Sequence, residues 1–232
     1  MSKIKKGYFI VFEGGEGSGK STQMRLVVQY LKEKGLPLVI TKEPGGTEIG
    51  EKIRDILLNP ANTKLSHRAE LLLYEADRAQ HIDEVVLPGL KSGKVIVSDR
   101  FADSSTVYQG MCRGFGRAWV EKLNGFAAKG LLPDLVFLLD LSEEVGRKRI
   151  LSRIKDDVWL KGVSRKVKIS RLDRLDNEKK AFHRKVRLGF LRLAKSHPKR
   201  FVVIDAAQDL EQVSTAIFAA LDQRLKRKGF LK

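Results

Sequence analysis

The sequence has a single cysteine, Cys112, among its 232 residues. A disulfide within the chain is therefore excluded, and so is a metal site built from several cysteines. The four histidines lack the spacing of metal ligands, so we expect no zinc site. A chain with so few thiols suits a reducing compartment, and we expect a cytoplasmic location.

Long apolar runs are also missing from the sequence. No uninterrupted apolar stretch reaches the ~18 residues that a membrane-spanning helix needs. Residues 1–6 are charged and lead directly into a short apolar run, so we predict neither a secretory signal nor a membrane partner. Hydrophobic residues make up 42% of the chain, which is enough for one sizeable core, and we predict a single domain over residues 1–232.

Acidic residues are scarce relative to basic ones. The chain has 28 Asp and Glu against 45 Lys and Arg, which gives a formal net charge of +17. The excess is concentrated in residues 144–200 and in a basic tail at about 224–232. Such regions attract phosphate-rich partners, namely nucleotides, nucleic acid or an anionic surface, although a solvated helix face on a basic protein is an equally ordinary explanation.

Short apolar runs alternate with amphipathic segments along the chain. This alternation predicts an α/β fold, a five-stranded parallel sheet flanked by helices with right-handed crossovers. Pro88-Gly89 is expected to end the third helix, and Trp119 is expected in the core. Residues 156–170 have weak periodicity and many charges, which indicates a flexible insert rather than a second domain. The predicted strands cover residues 8–12, 38–41, 95–98, 135–139 and 201–204; the predicted helices cover 21–34, 49–58, 66–87, 119–128, 143–154, 177–196 and 210–225.

The strongest motif is Gly14-Gly15-Glu16-Gly17-Ser18-Gly19-Lys20-Ser21, which matches G-x-x-x-x-G-K-[ST] in full. A strand before it and a helix after it give the expected context, which argues against a glycine-rich turn with no ligand. Backbone N–H groups of such a loop converge on phosphate oxygens, Lys20 would bridge the β- and γ-phosphates, and the Ser21 hydroxyl would ligate Mg²⁺. The motif leaves the phosphoryl acceptor open, because GTPases, ATPases and small-molecule kinases all use it.

Beyond this loop, the sequence resembles the thymidylate kinases over roughly residues 7–222. The resemblance implies a P-loop nucleoside monophosphate kinase fold with a mobile lid at about 154–176, and phosphorylation of dTMP to dTDP by ATP with Mg²⁺. The alternative is another nucleotide or deoxynucleoside kinase of the same fold. The family is usually dimeric, so we expect a homodimer. The segments that carry the resemblance, in order, are Phe9–Gly14, Glu43-Pro44-Gly45-Gly46-Thr47, Asp77-Arg78, Asp99–Gly110, Leu132–Leu135 and Phe201–Ala206.

The resemblance assigns roles to individual residues. Lys20, Asp99, Arg100 and Arg174 are expected to be catalytic, and Ser21 and Asp99 to hold Mg²⁺. Contacts with ATP are expected from Gly14, Gly15, Glu16, Gly17, Ser18, Gly19, Lys20, Ser21, Thr22 and Arg153, the last packing on adenine. Contacts with dTMP are expected from Glu16, Glu43, Arg54, Tyr74, Arg78, Arg100, Ser105, Tyr108 and Gln109.

Elementary chemistry is compatible with these roles but does not require them. Asp99 follows a strand at the edge where α/β sheets bind ligands, and Arg100 offers a planar fork for phosphate oxygens, yet the two could form a surface ion pair. Tyr74 and Arg78 share a helix face, but they could be a half-buried tyrosine and a surface arginine. Likewise, Ser105 could start a helix and Glu43 could belong to a tight turn.

The lid prediction depends on the absence of a basic residue inside the P-loop before Lys20. Residues 15–18 of the loop include no Lys or Arg, so the resemblance implies that a lid arginine neutralises the transferring phosphoryl group. Arg174 is the best match, although the stretch 155–170 is longer than usual and Arg165 or Arg171 could substitute. A nucleic-acid-binding P-loop protein is the less favoured alternative, because the sequence shows no nucleic-acid recognition module. We therefore expect no specific nucleic-acid partner.

Overall fold

The computed structural model describes residues 7–161, 174–175 and 178–231, with the backbone alone described for residues 153–161. Its five strands form one sheet in the order β2-β3-β1-β4-β5, and every neighbouring pair is parallel. The predicted five-stranded parallel sheet is therefore confirmed. The strands are β1 (Tyr8–Glu13), β2 (Leu38–Lys42), β3 (Val95–Asp99), β4 (Leu135–Asp140) and β5 (Phe201–Asp205).

Helices connect the strands and cover both faces of the sheet. Two of them change pitch: α3 continues through a π-helical turn, Ile82–Val86, into α4, and α5 continues into a π-helical segment, Thr106–Cys112. The helices are α1 (Lys20–Glu33), α2 (Glu48–Leu58), α3 (His67–His81), α4 (Leu87–Lys91), α5 (Ala102–Ser105), α6 (Arg117–Ala127), α7 (Glu143–Lys161), α8 (Lys180–Ser196) and α9 (Leu210–Arg227).

The three central strands, β1, β3 and β4, are mainly apolar because both faces of the sheet are buried there, whereas Ile40 and Val203 of the two edge strands are 51% and 47% exposed. In β1, Phe9 and Val11 belong to one hydrophobic cluster, whereas Tyr8, Ile10 and Phe12 belong to the other. This alternation follows from the two-residue period of a strand. Residues of α1 and α9 complete the second cluster, and residues of α8 and of the two π-helical segments complete the first.

Two local predictions were wrong, and one helical segment was not predicted. Pro88-Gly89 does not end the third helix, because the chain stays helical through the π-helical turn that precedes Pro88 and through the first turn of α4. Residues 102–112 are helical, although their sequence has no clear amphipathic period. Trp119 is 55% exposed on α6 rather than in the core.

The topology brings the predicted site residues to one edge. All five strands run in the same direction, so the loops after β1, β2 and β3 emerge together at their carboxyl ends. These loops carry the P-loop, the Glu43–Thr47 turn and the Asp99-Arg100 pair. Among the described helices, none is both long and apolar enough to cross a membrane.

Truncating a leucine in the second cluster tests the assignment of this core. Leu221 of α9 is 0% exposed, so Leu221→Ala should lower the free energy of unfolding by about 2–5 kcal/mol through the cavity it leaves. Leu188→Ala, on α8, is the matched control, because Leu188 is 44% exposed and should cost under about 1 kcal/mol. Denaturant unfolding of both variants measures the difference, and equal losses would contradict the assignment.

Candidate active site

A cavity of about 600 Å³ opens at the carboxyl edge of the sheet. It is lined by the P-loop on one side and by residues of α2, α3 and the Thr106–Cys112 segment on the other. The structure therefore brings most of the predicted residues into one site. Those lining the cavity are Glu16, Gly17, Ser18, Gly19, Lys20, Ser21, Thr22, Glu43, Arg54, Tyr74, Arg78, Asp99, Arg100, Ser105, Tyr108 and Gln109.

The P-loop has the backbone that its glycines predict. Gly17 and Gly19 have φ angles of 71° and 92°, a region that favours glycine. The Lys20 ammonium group donates to the carbonyl oxygens of Gly14 and Gly15 at 3.1 and 3.0 Å. Burial, together with the Arg100 charge, lowers the pKa of Lys20. The loop thus holds its lysine close to its own backbone, at the cavity wall.

Gly146, a residue of α7, packs directly against the backbone of the P-loop. A Cβ atom added to Gly146 would lie 2.4 Å from the carbonyl oxygen of Glu16, and one added to Gly17 would lie 2.3 Å from the carbonyl oxygen of Gly146. The two backbones touch so closely that neither position has room for a side chain. Gly146 was not predicted as a site residue, because no motif includes it.

Arg100 connects the P-loop to the loop that follows β3. Its backbone is left-handed, with a φ of 69°, which is uncommon for a residue with a side chain. Its guanidinium donates to the Gly14 carbonyl and to Ser104 Oγ, both at 3.2 Å, and forms an ion pair with Glu16. Burial raises the pKa of Glu16, but the charges of Arg100 and Lys20 outweigh it and bring the pKa to about 2.

The loop after β3 is fixed by Glu13, the last residue of β1. The Glu13 carboxylate is fully buried and accepts hydrogen bonds from the backbone N–H groups of Phe101 and Ser104, at 3.0 and 3.1 Å, and from the Ser104 hydroxyl at 2.7 Å. Burial raises the pKa of Glu13 to about 7. With these contacts Glu13 caps the start of α5.

Asp99 and Ser21 are the residues that could hold a divalent cation. Asp99 Oδ1 is buried and has no hydrogen-bond partner among the described residues, although it faces a polar site. An orphaned carboxylate oxygen and a serine hydroxyl that line the same cavity match the oxygen ligands that Mg²⁺ prefers. The part of the chain that the structure describes contains no cluster of three or more His, Cys, Asp or Glu side chains that could form an all-protein metal cage.

Arg78 is held rigidly at the far wall of the cavity. Its guanidinium is 1% exposed and donates to Glu43 at 3.0 Å, to Glu75 at 2.9 Å and to Asn124 at 2.8 Å. A further hydrogen bond, from Nη2 to Ser105 Oγ at 3.1 Å, joins two of the residues that were predicted to contact dTMP. These bonds use four of the five N–H donors of an arginine, and the remaining one belongs to Nη2, on the Ser105 side.

Two side chains of α3 hold the turn that follows β2. His81 lies 2.8 Å from Glu43 Oε1 and 2.6 Å from Thr41 Oγ1, and Asp77 Oδ1 accepts the Gly45 N–H at 2.9 Å. A Cβ atom on Gly46 would lie 2.4 Å from the His81 ring. This packing holds the turn against α3, and Arg54 of α2 in turn donates to the Pro44 carbonyl at 2.7 Å.

Arg174 is not among the residues that line the cavity. Its Nη2 donates to Glu70 at 2.5 Å and its Nε to the Leu57 carbonyl at 2.9 Å, so the guanidinium is engaged near the end of α2. A direct catalytic role would require it to leave these partners, and that role stays a prediction. The alternatives Arg165 and Arg171 lie outside the described residues, as does the side chain of Arg153.

Several cavity-lining residues were not predicted from the sequence. They are Arg149 and Ile150 of α7, Leu210 at the start of α9, and Leu175. Arg149 precedes Arg153 by one helical turn, so its position on the same face could have been inferred from the spacing. Gln23, just past the P-loop, also lines the cavity.

A bulkier residue at position 146 should disturb the P-loop. Gly146→Ala places a methyl group against the Glu16 carbonyl, and we expect the KM for the nucleoside triphosphate to rise about tenfold as the loop shifts. Gly125→Ala on α6 is the matched control, because its Cβ would meet nothing within 4 Å and should leave the KM unchanged. Steady-state kinetics measures both variants, and an unchanged KM in Gly146→Ala would contradict the contact.

Asp77 should make stability depend on pH. Burial, with the nearby Glu43 charge, raises the pKa of Asp77 to about 6 from an ordinary 3.8. Below both values Asp77 is protonated in the folded and unfolded chains and contributes nothing. Between about pH 4 and pH 6 the unfolded chain ionises first, so the free energy of unfolding falls as pH rises, and above pH 6 this contribution is constant.

The variant Asp77→Asn removes this titration. Its free energy of unfolding, relative to the unmodified chain, should therefore increase between pH 4 and pH 6 by on the order of 2 kcal/mol and then level off. Urea unfolding at a series of pH values gives this difference, and Asp55→Asn, at an exposed position of α2, controls for the change in net charge. A flat difference would mean that Asp77 does not titrate as stated.

The chain matches one family of known proteins. The family profile described as thymidylate kinase matches residues 12–217. The chain is 46% identical over 223 residues to a thymidylate kinase of Lactobacillus acidophilus, a match that covers 96% of this chain and 97% of the relative. It is 45% identical to one from Pelotomaculum thermopropionicum, over 98% and 97% of the two chains.

A solved structure supports the same placement. The crystal structure of thymidylate kinase from Ehrlichia chaffeensis superposes with a TM-score of 0.70 at 29% identity, covering 93% of this chain and 98% of that one. The sheet order, the complete P-loop and the residues gathered around the cavity agree with these similarities. The chain belongs to the thymidylate kinase family.

Proposed function

We propose that this protein catalyses the transfer of the γ-phosphoryl group of ATP to dTMP, which gives dTDP and ADP. The observation that carries the proposal is the single cavity that has a complete P-loop at one end and Tyr74, Arg78, Ser105 and Gln109 at the other. If ATP is bound at the P-loop and the pyrimidine base of dTMP at the far wall, the phosphates of the two nucleotides would lie between these two ends of the cavity. Family membership supports the same reaction.

The donor end would bind the triphosphate through the backbone N–H groups of the P-loop and through Lys20. The residues Ser21 and Asp99 would hold Mg²⁺, which supplies charge neutralisation at the β- and γ-phosphates. To reach the phosphates, the Lys20 ammonium group exchanges its contacts with Gly14 and Gly15 for phosphate oxygens. Gln208 and Arg149 line the cavity where the rest of the nucleotide would lie.

The reacting phosphates would meet beside Arg100. Its guanidinium is held at the P-loop by Gly14 and at the loop after β3 by Ser104, so it would bind oxygens of both nucleotides by exchanging some of these contacts and its ion pair with Glu16. Arg54, held by the Pro44 carbonyl, would bind the dTMP phosphate. That phosphate is itself the nucleophile, so no strong general base is needed, and positioning with charge neutralisation carries the step.

The far wall would select a deoxyribonucleotide of thymine. Arg78 presents a donor at the Ser105 side, where it would bind a carbonyl oxygen of the base, and Tyr74 would stack on the ring. Tyr108 would crowd the ribose 2′ position. The Tyr108 ring lies 5.4 Å from the Arg100 guanidinium, and burial raises its pKa, so it stays a neutral, well-packed wall.

The lid would supply the positive charge that residues 15–18 of the P-loop lack. We propose that a lid arginine neutralises the transferring phosphoryl group, and Arg174, Arg165 and Arg171 remain the candidates. Use of Arg174 requires it to exchange Glu70 and the Leu57 carbonyl for phosphate oxygens. Closure of the lid would also exclude water that otherwise hydrolyses ATP.

We further propose a homodimer in the cytoplasm. Leu72 of α3 is 57% exposed, and on α6, which packs against α3, Trp119 and Phe126 are 55% and 86% exposed. Exposed aromatic side chains on two adjacent helices suit a contact between two copies of the chain. A specific nucleic-acid partner is not part of the proposal.

An acceptor panel tests the proposed reaction. With ATP as donor and a coupled ADP assay, kcat/KM should be highest for dTMP, lower for dUMP, and at least about a hundredfold lower for CMP, AMP and GMP. Arg78→Ala should raise the KM for dTMP, because the variant loses a charged donor at the base. A panel in which CMP or a purine nucleotide is preferred over dTMP would favour the alternative, another nucleotide kinase of the same fold.

The donor site is tested separately with Lys20→Ala. This variant should lower kcat by about a hundredfold or more for every acceptor, because the lost charge acts on the transferring phosphate. Lys52→Ala is the matched control, since Lys52 lies on the surface of α2 and pairs only with Glu48 among the described residues. Equal activities of the two variants would exclude the proposed role of the P-loop lysine.

A further inference from the structure

A buried carboxylate, Glu70, lies behind the proposed base-binding wall. Glu70 is 0% exposed on α3, and no motif or family feature named above includes it. Its Oε1 accepts a hydrogen bond from Gln109 Nε2 at 2.7 Å. It also receives the side chains of Arg113 and Arg174, so three donors from two other segments of the chain converge on one carboxylate.

The two arginines keep Glu70 ionised despite its burial. Arg174 donates to Oε2 at 2.5 Å, and Arg113 approaches both oxygens at 3.4 Å. Burial raises the pKa of Glu70, but the Gln109 hydrogen bond and the charges of Arg113 and Arg174 outweigh it and hold the pKa below its ordinary value. An ionised carboxylate has no proton to donate, so it accepts from every neighbour.

This restricts the Gln109 side chain to one orientation. An amide has a donor branch and an acceptor branch, and only the donor branch can face an ionised carboxylate. With Nε2 turned to Glu70, the other branch of Gln109 is its carbonyl oxygen. Gln109 lines the cavity beside Tyr74, Arg78 and Ser105, so the acceptor branch is the one left for a ligand there.

We propose that Glu70 is a specificity-determining positioning residue, which orients the Gln109 amide so that its carbonyl oxygen accepts the N3–H of a keto pyrimidine. Thymine and uracil have an N3–H donor beside the O4 acceptor, whereas cytosine has an N3 acceptor beside an amino donor. The acceptor of Gln109 and the donor of Arg78 therefore complement thymine or uracil, whereas both would be mismatched with cytosine. This inference rests on the proposed reaction with dTMP.

The variant Glu70→Gln should turn the side-chain amide of Gln109 around, so that its NH₂ group and its carbonyl oxygen exchange places. The carboxylate oxygen facing Arg174 has the shortest contact of the cluster, so the single carbonyl oxygen of the new glutamine is needed there. Its NH₂ group would then face Gln109, which must turn its own carbonyl oxygen away from the cavity. The NH₂ group of Gln109 would face the base, where it clashes with N3–H of thymine and matches N3 of cytosine.

The experiment compares kcat/KM for dTMP and dCMP in four variants. In the unmodified enzyme dTMP should be strongly preferred, and in Glu70→Gln the dTMP:dCMP ratio should fall by about tenfold to a hundredfold. Glu178→Gln is the matched control, because Glu178 pairs with Arg113 at 2.6 Å but is not among the described hydrogen-bond partners of Gln109, and the ratio in this variant should not change. In Gln109→Ala, adding Glu70→Gln should change the ratio by less than about twofold.

These measurements separate three outcomes. If the unmodified enzyme does not prefer dTMP, the proposed reaction fails, and this inference fails with it. If it does prefer dTMP but Glu70→Gln keeps the ratio while folding normally, the proposed reaction stands and the role of Glu70 is wrong. A general loss of activity on both acceptors with an unchanged ratio would show a structural role only and would also overturn the inference.

Discussion

The register between β1 and β3 is the constraint on which the site depends. It pairs Phe12 with Asp99, so the loops after the two strands leave the sheet at the same level. Glu13, one residue further along β1, then reaches the backbone of Phe101 and Ser104 and fixes the loop after β3. The P-loop and the loop that carries Arg100 are therefore positioned by one pair of strands and one buried carboxylate.

Three buried carboxylates repeat this arrangement around the site. Glu13 holds the loop after β3, Glu43 holds Arg78 and His81, and Glu70 holds Gln109 with two arginines. In each case the donors come from another element of the chain. Buried ion pairs contribute little net stability, because desolvation offsets the attraction between the charges. Their consequence here is geometric, since each one fixes a side chain or loop that faces the cavity.

The sequence predicted the features that depend on short stretches of chain. A complete P-loop motif between a strand and a helix determines its own backbone, and continuous apolar runs indicate strands buried on both faces. The π-helical segments were missed, because a single extra residue in a helical turn leaves no trace in apolar periodicity. Pro88 misled the prediction for the same reason, since the preceding π-helical turn moves it to a position where a helix tolerates proline.

The buried network was beyond sequence reasoning because its contacts are long-range. Glu70 meets Gln109 across 39 positions and Arg174 across 104, and none of these spacings forms a motif. Resemblance placed Arg174 at the phosphates, whereas the structure places it on Glu70. Gln109 could be predicted as a base contact, but the direction of its amide depends on a carboxylate that only the fold brings beside it.

Part of the regional excess of positive charge is paired within the fold. Within residues 144–200, Arg187 binds Asp140 through two hydrogen bonds of 2.7 and 2.8 Å, and Arg174 binds Glu70. Arg200 likewise binds Asp103 through a pair of hydrogen bonds. These acids all lie outside the basic region, so part of its charge is neutralised by other segments of the fold. A basic surface for nucleic acid needs arginines that face solvent, and these three guanidinium groups instead attach the region to the rest of the fold.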